Sequence, residues 1–140
     1  MKNIINVVEC AIEFEKKFLI IERPNGVHAG GLLSFPGGKV EEQDGINGTD
    51  ILITAAKREV AEEVGINLEE SLSYITSSYF IDSKSNAHII DTIFHIILDY
   101  MPNVIASPRE VPKYYWMTKE EIMNAKNSPD WLKKYINMII

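Results

Sequence analysis

Cysteine is almost absent: Cys10 is the chain's one example, so an internal disulfide framework is excluded. It stands in an apolar stretch, the setting of a buried thiol, and free thiols suit a cytoplasmic protein. No apolar run approaches the roughly 20 residues that a membrane span needs. The segment from Met1 to Val8 lacks the separate charged, apolar and small-residue regions of a signal peptide. Basic residues are outnumbered, with 14 Lys and Arg against 20 Asp and Glu, a net charge of −6. A nucleic-acid polymer is therefore not expected as the main partner, because backbone binding needs clustered cations. The three histidines, His28, His88 and His95, have no metal-ligand spacing and read as structural or surface residues. There is no internal repeat, low-complexity tract or linker-like shift in composition.

What is present fits one domain spanning residues 1–140. Ile4 to Glu13 and Lys17 to Arg23 read as strands joined near Glu15-Lys16. Pro24 to Gly31 is a loop by composition, and Leu32 to Phe35 is a short apolar piece. Glu41 to Thr49 is polar, contains Gly45 and Gly48, and reads as a loop. Asp50 or Thr49 can cap a helix that runs to about Val64, with Gly65 as its stop. Ser73 to Ile81 and Ile89 to Tyr100 are strands across a polar turn, Asp82 to Ala87, and Tyr114 to Met117 is a short strand. Thr118 and Glu121 have capping-box spacing for a helix to about Ala125. Ser128 as cap and Pro129 at the first helical position predict a last helix carrying Trp131, Tyr135 and Ile139, a stripe that packs on the domain or a second subunit. The pattern is a mixed-sheet α/β (α+β) domain.

The helix from Ile51 to Val64 carries the chemistry. Residues three and four apart share a helical face. Ile53, Ala56, Val60 and Val64 form an apolar stripe, while Glu59, Glu62 and Glu63 cluster on another beside the small Ala55. Arg58, four residues before Glu62, can pair with it. Three crowded carboxylates repel one another unless a cation or solvent relieves them. Oxygen donors are also what Mg²⁺ or Mn²⁺ takes, with substrate phosphates completing the shell. A solvated surface face is the competing reading of the same residues.

The surrounding residues decide between the two. Arg58-Glu59-Val60-Ala61-Glu62-Glu63-Val64-Gly65-Ile66 matches the second half of the Nudix box, G-x5-E-x7-R-E-U-x-E-E-x-G-U with U aliphatic. Ser34-Phe35-Pro36-Gly37-Gly38-Lys39-Val40-Glu41 resembles the family's lead-in to the box. The chain thus resembles the Nudix (MutT-like) hydrolases, which implies a mixed β-sheet sandwiched between helices. One departure stands out: Gly38 to Arg58 is six residues longer than the consensus. The mid-box glutamate is replaced by Asp44, counting from Gly38, or by Asp50, counting from Arg58.

By this resemblance Glu62 and Glu63 are metal ligands, and Glu59 is a further ligand or the base that deprotonates water. Arg58 holds the carboxylates by charge-assisted hydrogen bonds. Gly37 or Gly38 offers a backbone carbonyl to the metal, and Glu110 is the candidate later ligand. Arg23 is a candidate contact to substrate phosphate or base. The implied reaction is metal-dependent cleavage of a nucleoside diphosphate linked to a group X, giving a nucleoside monophosphate and phosphoryl-X. The expected partner is that small molecule, with the chain monomeric or homodimeric. Tyr79, Phe80, Phe94 and Trp116 are aromatics able to stack on a base or fill a core. His28-Ala29-Gly30 is faintly like the segment before the box in coenzyme A diphosphatases. A silent nucleotide-binding module generally lacks box carboxylates, which this chain keeps. An isoprenoid diphosphate isomerase calls for a suitably placed cysteine, which Cys10 is not.

Overall fold

The computed structural model describes residues 3–27, 29–47 and 49–140, so His28 and Gly48 lie outside the described residues. The chain runs β1 (Ile4–Phe14), β2 (Lys17–Glu22), β3 (Leu33–Ser34), β4 (Gly37–Lys39), α1 (Glu42–Asn47) and α2 (Ile51–Val64). It continues through β5 (Ser73–Ile81), β6 (His88–Leu98), β7 (Lys113–Met117), α3 (Lys119–Asn124) and α4 (Asp130–Met138). Seven strands form one mixed sheet in the order β3-β2-β1-β6-β5, with β4 paired to β1 and β7 to β2. The β1–β6 pair is parallel; the other pairs are antiparallel.

The central strands are apolar on both faces because both faces are covered. Val8, Cys10 and Ile12 of β1 and Leu19 and Ile21 of β2 pack with Ala55, Ala56, Val60 and Val64 of α2. On the opposite face Ala11, Phe18 and Ile20 pack with Ile122 of α3 and with Leu132, Tyr135 and Ile136 of α4. The sheet is therefore sandwiched between helices, as expected. Cys10 is fully buried, and burial pushes its thiol up to about 12, which makes it an inert core residue.

Local chemistry sets the ends of α2. Asp50 accepts a hydrogen bond from the Ile53 N–H at 3.1 Å. Gly65 ends the helix in the left-handed region, at φ 68°, and a Cβ there would also stand 2.9 Å from Ile105 Cβ. The capping box of Thr118 and Glu121 forms as the spacing predicts.

Three expectations are corrected. The polar stretch taken as a loop contains helix α1, whose Asp44 is buried and anchored to the next helix. Pro129, not Ser128, is the N-cap of α4; its extended backbone starts the helix without a side-chain hydrogen bond, while Ser128 is buried. Ala55 is fully buried in the core cluster, so it packs against the sheet rather than leaving open room beside the carboxylates.

Candidate active site

Gly37 and Gly38 bring β4 against both β1 and α2. A Cβ on Gly37 would stand 2.1 Å from the Val8 carbonyl oxygen, and one on Gly38 would stand 2.4 Å from the Glu59 carboxyl. At Gly37 the obstacle is backbone, so no side chain fits; at Gly38 a side chain would have to displace the Glu59 carboxyl. The Gly37 N–H donates to Glu63 Oε1 at 2.8 Å, so the turn also orients one carboxylate of the helix.

Arg58 organises the rest. Its Nε donates to Asp44 Oδ1 at 2.7 Å and its NH2 to Asp44 Oδ2 at 3.0 Å, a bidentate pair. NH1 donates to Glu59 Oε1 at 2.8 Å and to Glu62 Oε2 at 3.1 Å. NH2 also reaches the Lys39 carbonyl at 2.9 Å, which ties α2 to β4. Of the two replacements for the mid-box glutamate, Asp44 meets Arg58, whereas Asp50 is the helix cap. The Arg58 pair, helped by the Glu41 N–H, holds the Asp44 carboxyl below its ordinary value against the effect of burial. Asp44 in turn raises Arg58 further, securing its charge.

The glutamates shift the opposite way. Burial pushes Glu63 up to about 8; the Gly37 N–H opposes this, and the charges of Glu59 and Glu110 add to it. Burial also raises Glu59, Arg58 lowers it, and Glu62 and Glu110 raise it again. Glu62 remains half exposed, with 53% of its side chain accessible. Glu110 lies in an exposed turn, and its charge bears on both Glu59 and Glu63. Backbone bonds from Ile105 to Val64 and from Ser107 to Glu63 dock the segment before β7 onto the end of α2, which brings Glu110 there. All four glutamates are thus gathered at one end of α2.

These carboxylates supply the hard oxygen donors that Mg²⁺ takes, and their mutual repulsion favours a cation. Among the described residues, no three His, Cys, Asp or Glu groups already stand in metal-binding geometry. The Gly37 N–H engages Glu63, and Arg58 engages Glu59 and Glu62.

A cleft of about 750 Å³ opens beside the glycine turn, between the sheet and α4. Gly37 and Gly38 line it, joining it to the carboxylates, and Arg23 lies in its wall. Arg23 lowers both Glu9 and Glu63 by its charge. Of the aromatics singled out in the sequence, Tyr79 and Phe80 line the cleft, while Phe94 and Trp116 belong to the core. Trp131 and the largely buried Tyr135 also line the cleft, whereas Ile139 is buried in the core. His95 bonds Glu13 at 2.8 Å, and His88 stacks on Tyr79 and hydrogen-bonds its hydroxyl; both are structural.

Two acids in the cleft were missed in the sequence. Glu9 and Asp91 lie on the paired strands β1 and β6, and both are buried. Burial raises both, and the neighbouring Asp91 holds Glu9 still further above the carboxylate range. The available signal was an acid in the middle of each of two largely apolar strands.

Comparison with known proteins bears on the family and the fold. The family model for the NUDIX domain matches residues 4–138. No curated protein sequence matches significantly. The MutT protein from Methanosarcina mazei Go1 superposes with a TM-score of 0.77 at 24% identity, over 97% of this chain and 92% of that one. The NUDIX domain of Shewanella oneidensis NrtR, solved with ADP ribose, gives 0.78 at 15% identity, over 99% and 87%. A bifunctional NMN adenylyltransferase/ADP ribose pyrophosphatase from Francisella tularensis, solved with AMP and a Mn ion, gives 0.73 at 20% identity; the match covers 99% of this chain and 41% of that one. With its box residues gathered around Arg58 and the family model matched almost end to end, the chain belongs to the NUDIX domain family.

Proposed function

We propose that this chain hydrolyses the diphosphate linkage of a nucleoside diphosphate joined to a group X, releasing a nucleoside monophosphate and phosphoryl-X in a reaction that depends on Mg²⁺ or Mn²⁺. The observation that carries the reading is the Arg58-centred carboxylate array, joined by Gly37 and Gly38 to the cleft. Glu59, Glu62, Glu63 and Glu110 would hold the cation, with a carbonyl of Gly37 or Gly38. When bound, the ion draws charge from the diphosphate and lowers the pKa of a coordinated water.

The chain's own groups do the rest. Arg58 keeps Glu59 and Glu62 in place at the end of α2. Among the four glutamates, burial raises Glu59 and Glu63, and either, once deprotonated, is a stronger base for the water's proton. Arg23 neutralises phosphate charge from the cleft wall. The nucleotide part lies in the cleft, in line with the ADP ribose and AMP found with two structural relatives.

The test is a panel of oxidised nucleoside triphosphates, nucleotide sugars, ADP-ribose, dinucleoside polyphosphates and coenzyme A, assayed with and without Mg²⁺. The reading requires a nucleoside monophosphate or, for coenzyme A, the corresponding phosphate ester, formed only when the metal is present. Turnover that survives full chelation contradicts it.

A further inference from the structure

The cleft floor carries a polar pair that phosphate chemistry does not use. Glu9 of β1 is 8% exposed and Asp91 of β6 is 5% exposed, and both line the cleft. Among the described residues, Glu9 Oε1, Asp91 Oδ1 and the Ser34 hydroxyl, which faces the same cleft, have no hydrogen-bond partner. The other Asp91 oxygen, Oδ2, accepts from the Tyr135 hydroxyl at 3.2 Å, which fixes that carboxyl's direction. Burying acids away from water without donors is costly, and unpaired groups of this kind are uncommon in native interiors. A proton shared between the two acids offsets part of that cost but leaves acceptor lone pairs unused. Tyr79, Phe80 and Trp131, with Ile89, line the same cleft and bring aromatic side chains to it.

We propose that Glu9 and Asp91 set the base specificity of this site by accepting hydrogen bonds from the amino group of a heterocyclic base. The inference rests on the nucleotide-hydrolase reading above and deepens it. An amino group points N–H bonds at the free carboxyl oxygens, whereas an oxo group in the same place meets at most the one proton the two acids share and sets its lone pairs against their remaining ones. Adenine, guanine and cytosine are therefore preferred over hypoxanthine and uracil. A site built for a donor leaves its acceptors unpaired when the donor is missing, which is where strong discrimination arises.

The experiment is calorimetric binding of nucleoside monophosphates, which need no turnover: CMP against UMP, and AMP and GMP against IMP. The expected result is a preference of roughly tenfold or more for an amino-bearing member. Glu9→Gln and Asp91→Asn, made separately, present amides that donate as well as accept. Either variant, once shown to be folded by its thermal melt, should narrow that preference. Equal binding across all comparisons, no binding of any of the five, or a preference unchanged in both variants overturns the proposal. The Mg²⁺-dependent panel separates the two readings. Turnover of a nucleotide with no amino preference overturns this inference alone. An amino preference without any turnover overturns the hydrolase reading and leaves this one standing.

Discussion

Arg58 divides one guanidinium among Asp44, Glu59, Glu62 and the Lys39 carbonyl. Asp44 is 1% exposed, so removing its partner leaves a buried charge uncompensated, a loss on the order of 3–5 kcal/mol. Lysine cannot reproduce the fork, and Arg58→Lys should lower stability by roughly 2–4 kcal/mol. A urea midpoint equal to the parent's contradicts that role. Gly38 works by what it lacks. Gly38→Ala would drive a methyl into the Glu59 carboxyl, so turnover should fall roughly 10- to 100-fold, more than stability falls; an unaffected rate would show that Glu59 can move freely. The sequence made Arg58 and the three box glutamates legible through their spacing. It left Asp44 and Asp50 as equals, because an enlarged loop hides which anchor the chain keeps, and only the fold brings Asp44 onto Arg58. Glu9 and Asp91 each stood out within an apolar strand, but their meeting was illegible because a pairing between distant strands has no local signal.

At the scale of elements, α2 depends on its ends as much as on its stripe. Asp50→Ala removes the hydrogen bond to the Ile53 N–H and should cost about 1 kcal/mol. That loss would be measured by thermal denaturation, with turnover per folded molecule unchanged. A variant that keeps full stability but loses activity would point to Asp50 as a site residue instead. The strong elements were readable: β1, β2, β5 and β6 from their β-branched runs, and α2 and α3 from their caps. Helix α1 was not, because a polar segment containing Gly45 has little helical preference and is held by Asp44. The α4 boundary shifted by one residue because Ser128 is buried and does not cap the helix.

Across the whole molecule, the sheet keeps the carboxylate end of α2 and the cleft beneath α4 within reach of one another, with Gly37 and Gly38 between them. The mixed sheet was legible from the order of the elements; the pairing of β1 with both β4 and β6 was not, since the strands lie far apart in sequence. Among the described residues, no helix is long and apolar enough to cross a membrane. Glu63 links the site to pH. Its ordinary value is 4.5 and burial takes it to about 8, so the metal-free fold holds this proton more tightly than the unfolded chain. Its contribution to stability is full below 4.5 and is lost as pH rises through about 8. A cation must displace that proton, so the melting-temperature gain from a fixed, subsaturating Mg²⁺ concentration should grow from pH 6 to pH 8.5. A gain that shrinks over that range contradicts Glu63 as a ligand. The central claim is tested most directly by Mg²⁺-supported turnover of the best panel substrate in parent, Glu62→Gln and Glu63→Gln proteins with matched melts. The account predicts a loss of roughly 100-fold or more in each folded variant. Parental rates in both would contradict it.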